Sequence, residues 1–378
     1  MALAGDLNPP AGPVSATMKP LSEVEPRIAI NATNTPGDAD SVYQIDTPGS
    51  YYLTAEAVAL PGKTAIEITA ADVTVDLNGF RVGGYPGSLH GIKAGGSNRR
   101  NITVKNGIVR TMGGDGVNLR SDNDTVSKGC RLQDLTIQDC GGNGVYCDQI
   151  TTVERVNCSN HSNNGMLLSG NSVVRSCTFV GNHTGAVILG AATISDCVAA
   201  NNSLTGLGVG DGSIVENCAA RNNGHSGFEF DGRGSFTHCT AAGNATWGIT
   251  FVEMAVITGC SCTFNGRDGI RTAGSGSVIK NNTCGSNGSA VIDGAGIAVE
   301  GPDNRVEGNN CIGNDVGIRV TVAGNVITRN TCSGNTTSWS VVAGNACYVV
   351  SANTGAAING NNGGASLGTT DPNANLTY

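Results

Sequence analysis

A period of about 21 residues governs most of this chain. Gly followed by an apolar residue opens a unit at Gly144, Gly165, Gly185, Gly206, Gly227, Gly248, Gly269, Gly296 and Gly317. The spacings are 21, 20, 21, 21, 21, 21, 27 and 21. Each unit holds a strand-like "GFEF", "GITF", "GIAV" or "GIRV", then a second alternating segment such as "SIVENC", "SFTHC" or "AVITGC". Both alternate with the two-residue period of a half-buried strand. Asn- and Gly-rich turns separate them. No helical period occurs in the unit. A fixed repeat of this length built from short strands is the signature of a solenoid.

Stacking such units places equivalent side chains about 4.8 Å apart in columns. One expected column is Asn163, Asn182, Asn202, Asn223, Asn244, Asn265, Asn287, Asn314 and Asn335. A buried turn Asn can bond the backbone and the Asn of the next coil, so its polar groups find partners. A second is Cys158, Cys177, Cys197, Cys218, Cys239 and Cys260, continuing as Asn282, Asn309 and Asn330. A third, two residues on, is Cys262, Cys284, Cys311 and Cys332. Cys serves here as a small apolar filler, and the unit's Gly is expected to supply a positive φ. Ten of the 14 cysteines fall in these columns and are expected to be reduced and packed. Cys130 falls in an irregular stretch and is the thiol expected to be exposed. Asn182 and Asn244 open glycosylation sequons, but their ladder positions argue against modification.

Composition agrees with a β-solenoid. Gly accounts for 56 of 378 residues, and aromatic residues for only 4%. Nine of the 11 prolines lie within residues 1–86, and Pro302 alone interrupts the middle. Proline cannot donate to a β-ladder, so the middle reads as nearly continuous hydrogen-bonded strand. The expected division is a Pro-rich leader over 1–26, an N-terminal cap over 27–64, a β-helix over 65–350 and a C-terminal cap over 351–378. The net charge of −8 and the lack of a basic run argue against nucleic acid as a partner. No stretch is long and apolar enough for a transmembrane helix. The first twenty residues lack the charged start and apolar run of a signal peptide.

The unit "GI-x-V … V-x-x-N/C-x-x-x-x-N" and the Asn column resemble the right-handed parallel β-helix repeat family, the pectate-lyase-like solenoids. The likeness spans roughly 65–350, and "TPGSYYLTAEAVALPGKTAIEITAADVTVDLNGFRVGG" resembles the first coils of bacterial members. It implies an all-β chain of roughly 13 coils. The fold is shared by lyases, hydrolases, phage spikes and non-catalytic surface proteins, so it does not fix chemistry. The Asp cluster of pectate lyases and the polygalacturonase motif set are missing, and no catalytic set carries over.

Function must therefore be read from outward positions. The first outward column of the Gly-initiated strand runs Tyr146, Leu167, Val187, Gly208, Glu229, Thr250, Arg271, Ala298, Arg319. The second runs Asp148, Ser169, Leu189, Gly210, Asp231, Val252, Ala273, Glu300, Thr321. Charge gathers over 211–271. Glu229 and Asp231 share one side of one strand about 7 Å apart, a separation that suits acid and base in an inverting glycosidase. Arg271, two coils on, completes the candidate catalytic group. Asp211, His225, Arg233, Trp247, Glu253 and Arg267 are the candidate sugar contacts, with Trp247 placed to stack on a ring. No metal site or cofactor is expected. "DND" at 122–124, within the insertion at 120–131, is an Asx-rich turn that could at most hold Ca²⁺. The expected function is an extracellular or cell-surface solenoid that contacts polysaccharide without catalysis. The alternatives are a polysaccharide lyase or glycoside hydrolase, and a phage-type adhesin. Oligomeric state is left open.

Overall fold

A computed structural model describes residues 26–96, 99–120, 128–288, 294–355, 357–358, 360 and 364–378. The leader over 1–25 and the Ca²⁺ candidate at 122–124 lie outside the described residues.

Every pairing between the described strands is parallel, and no helix forms among the described residues. The Gly-initiated segments stack into one 14-stranded sheet that runs in chain order from Ser41–Ile45 to Thr337–Val341. This is close to the roughly 13 coils expected. Residues 27–64 contribute strands to both sheets: Ser41–Ile45 pairs with Thr64–Ile68 in the 14-stranded sheet, and Ile28–Ile30 with Gly49–Leu53 in the 27-stranded one. The other wall of each coil is one eight-residue strand in three early coils, as in Thr152–Ser159, which bends at Arg155 with a φ of 53°. Later coils divide into two strands at the same bend. Ser213–Glu216 and Ala219–Arg221 flank Asn217, whose φ of 53° is the left-handed bend. Short polar Asn tolerates that conformation.

The interior is a continuous apolar column. Phe228, Phe230, Phe236 and Phe251 are buried, with edge-to-face contacts at 5.4 and 5.5 Å around Phe236. The Asn ladder runs from Asn182 to Asn335. At Asn202, Nδ2 donates to Asn223 Oδ1 at 2.9 Å and to the Phe179 carbonyl at 3.2 Å, and the backbone N–H donates to the same Oδ1 at 3.1 Å. Asn163 is not a member. His161 takes that place, its N–H donating to Asn182 Oδ1 at 3.1 Å. A second ladder links Asn282, Asn309, Asn330 and Asn375. A third, which the repeat did not reveal, links Asn304, Asn325 and Asn345.

The cysteine columns also differ in one member. Cys158 pairs with Phe179, and that column continues through Ala199, Ala220 and Ala241 to Cys262, Cys284, Cys311 and Cys332. Cys158 therefore heads the second cysteine column rather than the first. All 14 cysteines are free thiols. Cys130 is buried, against expectation, and burial pushes its thiol up to about 11. The less buried thiol is Cys347, near the C-terminal coils.

The recurrent Gly has a different reason from the one expected. Gly227 and Gly248 have no positive φ. A Cβ on Gly227 would lie 2.7 Å from Asn244 Nδ2 and 2.7 Å from the Gly248 carbonyl oxygen. The residue must be Gly because the ladder amide packs against its Cα.

Candidate functional site

The outer face of the 14-stranded sheet carries the predicted charge. Its register matches the outward columns: Val187 pairs with Gly208, Gly208 with Glu229, Glu229 with Thr250, and Thr250 with Arg271. A groove of about 460 Å³ opens over three of these coils. Val187, Leu189 and Leu204 form an aliphatic side, and Asp211, Glu229 and Asp231 a carboxylate side. The groove exists because Gly208 omits an outward side chain, while Gly210 lets its coil lie close against the backbone of Leu189 and Gly190. At Gly208 a Cβ would meet nothing nearer than 4.0 Å, so the missing side chain is open space.

Three of the predicted residues thus line one groove. Asp211 is held by Arg233, which donates from its backbone N–H at 2.7 Å and from its guanidinium at 3.2 and 2.8 Å. That guanidinium is the chief reason the Asp211 carboxyl sits low, at about 2. Exposed Glu253 adds its charge to the field around Arg233. Glu229 Oε1 lies 2.7 Å from His225 Nδ1, and the same nitrogen lies 3.2 Å from Ser226 Oγ. Asp231 is exposed on the groove's rim.

Trp247, Arg267 and Arg271 form a second patch farther along the axis, joined to the groove through His225. Trp247 is its hub. The His225 ring meets it edge-on at 5.5 Å, and the guanidinium groups of Arg267 and Arg271 lie over it at 5.5 and 5.0 Å. The indole face that was expected to stack on a sugar thus carries two cations, a favourable cation–π arrangement. Arg271 donates to Glu300 at 2.6 Å, and Arg319 to buried Asp268 at 2.6 Å. Burial raises the Asp268 carboxyl. The structure does not bring Arg271 into the groove with Glu229 and Asp231. Among the described residues no group of three or more His, Cys, Asp or Glu is arranged to hold a metal ion.

The sequence reading missed the aliphatic side and the pair Asp268–Arg319. One signal was present: "GLGVGDG" at 206–212 puts Gly at both outward positions of one coil. It is where the face recedes.

The family model described as right handed beta helix region matches residues 90–254. No curated protein matches the chain in sequence. Among solved structures, the A-module of the mannuronan C-5 epimerase AlgE6 from Azotobacter vinelandii superposes with a TM-score of 0.59 at 13% identity. The match covers 79% of this chain and 90% of that one. The receptor binding domain of the siphovirus 9NA tailspike gives 0.53 at 10% identity, covering 83% and 73%. These likenesses establish the right-handed parallel β-helix and nothing finer.

Proposed function

We propose that this chain is an extracellular or cell-surface solenoid that binds polysaccharide along the outer face of its 14-stranded sheet, centred on the groove over Gly208. The observation that carries the reading is the groove itself. It combines an aliphatic side for the apolar face of a sugar ring with carboxylates that can accept from hydroxyl groups, as small-ligand sites commonly do. The epimerase and the tailspike domain support it in kind, one by acting on mannuronan and the other by binding a receptor. Binding without turnover is favoured because Glu229 and Asp211 are engaged by His225 and Arg233. The second reading, a lyase or hydrolase, rests on Glu229 and Asp231 facing one groove from one strand. The three carboxylates favour neutral or amino sugars there over uronates, through simple charge repulsion.

The test is a panel of neutral, amino-sugar and uronate polymers, scored for binding and for new reducing ends or unsaturated products. Gly208→Trp fills the groove without backbone strain, and Glu229→Gln/Asp231→Asn removes its charge. Binding that Gly208→Trp weakens at least about tenfold, with no product formed, is the expected result. Product formation lost in the double variant would replace it with the enzyme reading. Binding indifferent to both variants would overturn this site.

A further inference from the structure

The second wall of the coil carries a surface that the groove does not use. Outward from the strands that precede the left-handed bend run two registered columns. The first is Thr193, Ile214, Ser235, Val256, Val278. The second, two residues on, is Ser195, Glu216, Thr237, Thr258, Lys280. Ile214 is 48% and Val256 44% exposed. Over these five coils the first column mixes aliphatic and hydroxyl side chains beside a polar second column, whose two charges, Glu216 and Lys280, have opposite signs; the columns run on into Arg175 at one end and into Arg305 and Glu307 at the other.

Their placement is symmetric. Glu216 and Lys280 are three coils apart, with Thr237 and Thr258 between them. A two-fold axis laid along the strand direction, midway between the Thr237 and Thr258 coils, reverses coil order but keeps each column where it is. Across such an interface Ile214 meets Val278, Ser235 meets Val256, Thr237 meets Thr258, and Glu216 meets Lys280 twice. Farther out, Thr193 meets Arg305, Ser195 meets Glu307, and then Val173 meets Val326. Glu307 there is already neutralised by Arg305 and Arg329. An axis parallel to the solenoid would instead match each coil with itself and reverse the strands. It would set the first column over the second and leave Ile214 facing Glu216, which costs desolvation with no return. A self-complementary patch is what an isologous pair requires.

We infer that this face is a homodimer interface in which two copies pack with their solenoid axes antiparallel. It is independent of the polysaccharide reading and leaves the groove accessible, since the groove lies on the other sheet. Sedimentation equilibrium from about 1 µM to about 500 µM spans the range where an interface at the small end of the specific class is populated. A reversible monomer–dimer equilibrium is expected. Glu216→Lys or Lys280→Glu alone creates two like-charge contacts and weakens the dimer at least about tenfold. Glu216→Lys/Lys280→Glu together restores it, and Ile214→Asp abolishes it. All these positions are outward, and far-UV circular dichroism and melting confirm that the variants fold. A monomer at every concentration, a trimer, single reversals without effect, or a double reversal that fails to restore association would each overturn the inference.

Discussion

His161 shows how one side chain can imitate another inside a repeat. Its Nδ1 accepts the Cys140 N–H at 3.2 Å, and its Nε2 lies 3.2 Å from the Ile137 carbonyl. An Asn in the ladder makes the same two bonds with Oδ1 and Nδ2. The pattern requires the neutral tautomer that carries its proton on Nε2. Burial lowers the ring from its ordinary 6.5 to about 4, against the weaker upward pull of Asp139 and Asp115. The unfolded chain therefore binds a proton between those values that the folded chain does not. Stability is retained above pH 6.5 and falls as the pH drops toward 4, by about 3 kcal/mol from this residue. His161→Asn should extend the ladder and flatten that part of the profile. Urea denaturation at pH 7 and pH 4.5 checks it, and equal pH sensitivity of the two proteins would refute the assignment.

At the scale of the coil, the recurrent Gly and the ladder Asn form one unit. In Gly248 a Cβ would lie 2.5 Å from the Gly269 carbonyl oxygen and 2.8 Å from Asn265 Nδ2. Gly248→Ala should cost about 1–3 kcal/mol by overpacking, although its φ is ordinary. Val215→Pro, at a fully buried position of a ladder strand, should cost about 3 kcal/mol or more by deleting an N–H between coils. Unchanged thermal melting in either variant would contradict the register. Most of this element was legible from the repeat, because a period of 21 fixes which residues stack. What failed was local. Cys158 lies seven residues before its Gly, whereas Cys218, Cys239 and Cys260 lie nine before theirs. Asn163 lies two before its Gly, and Asn223 four. Measured from the Gly, His161 and Val156 fill those places, but matching by residue type concealed it. The groove was half legible. Its carboxylates announced themselves as charge, but an absent side chain gives no signal until the surface around it is seen.

Over the whole molecule, stability is propagated from coil to coil, so each end must be closed by something other than another repeat. The C-terminal closure departs from chain order. Asn375–Thr377 inserts between Thr331–Ser333 and Val349–Ser351, pairing with both. Its Asn375 is completely buried and extends the second ladder. The Asn330 N–H and Nδ2 both donate to Asn375 Oδ1 at 3.0 Å, and Asn375 Nδ2 donates to the carbonyls of Ile327 at 2.8 Å and Tyr348 at 3.1 Å. Thr377 Oγ1 accepts from the Trp339 indole at 2.6 Å. A strand that returns from outside the repeat to complete a buried ladder acts as a clamp on the coils beside it. Asn375→Ala leaves buried donors and acceptors without partners, at about 1–3 kcal/mol each for those that water cannot reach. In a solenoid that loss should stay local. Hydrogen exchange should accelerate over 326–351 while 130–260 keeps its protection. Acceleration spread evenly along the chain would mean that the coils melt as one unit, and protection unchanged at 326–351 would mean that the inserted strand clamps nothing.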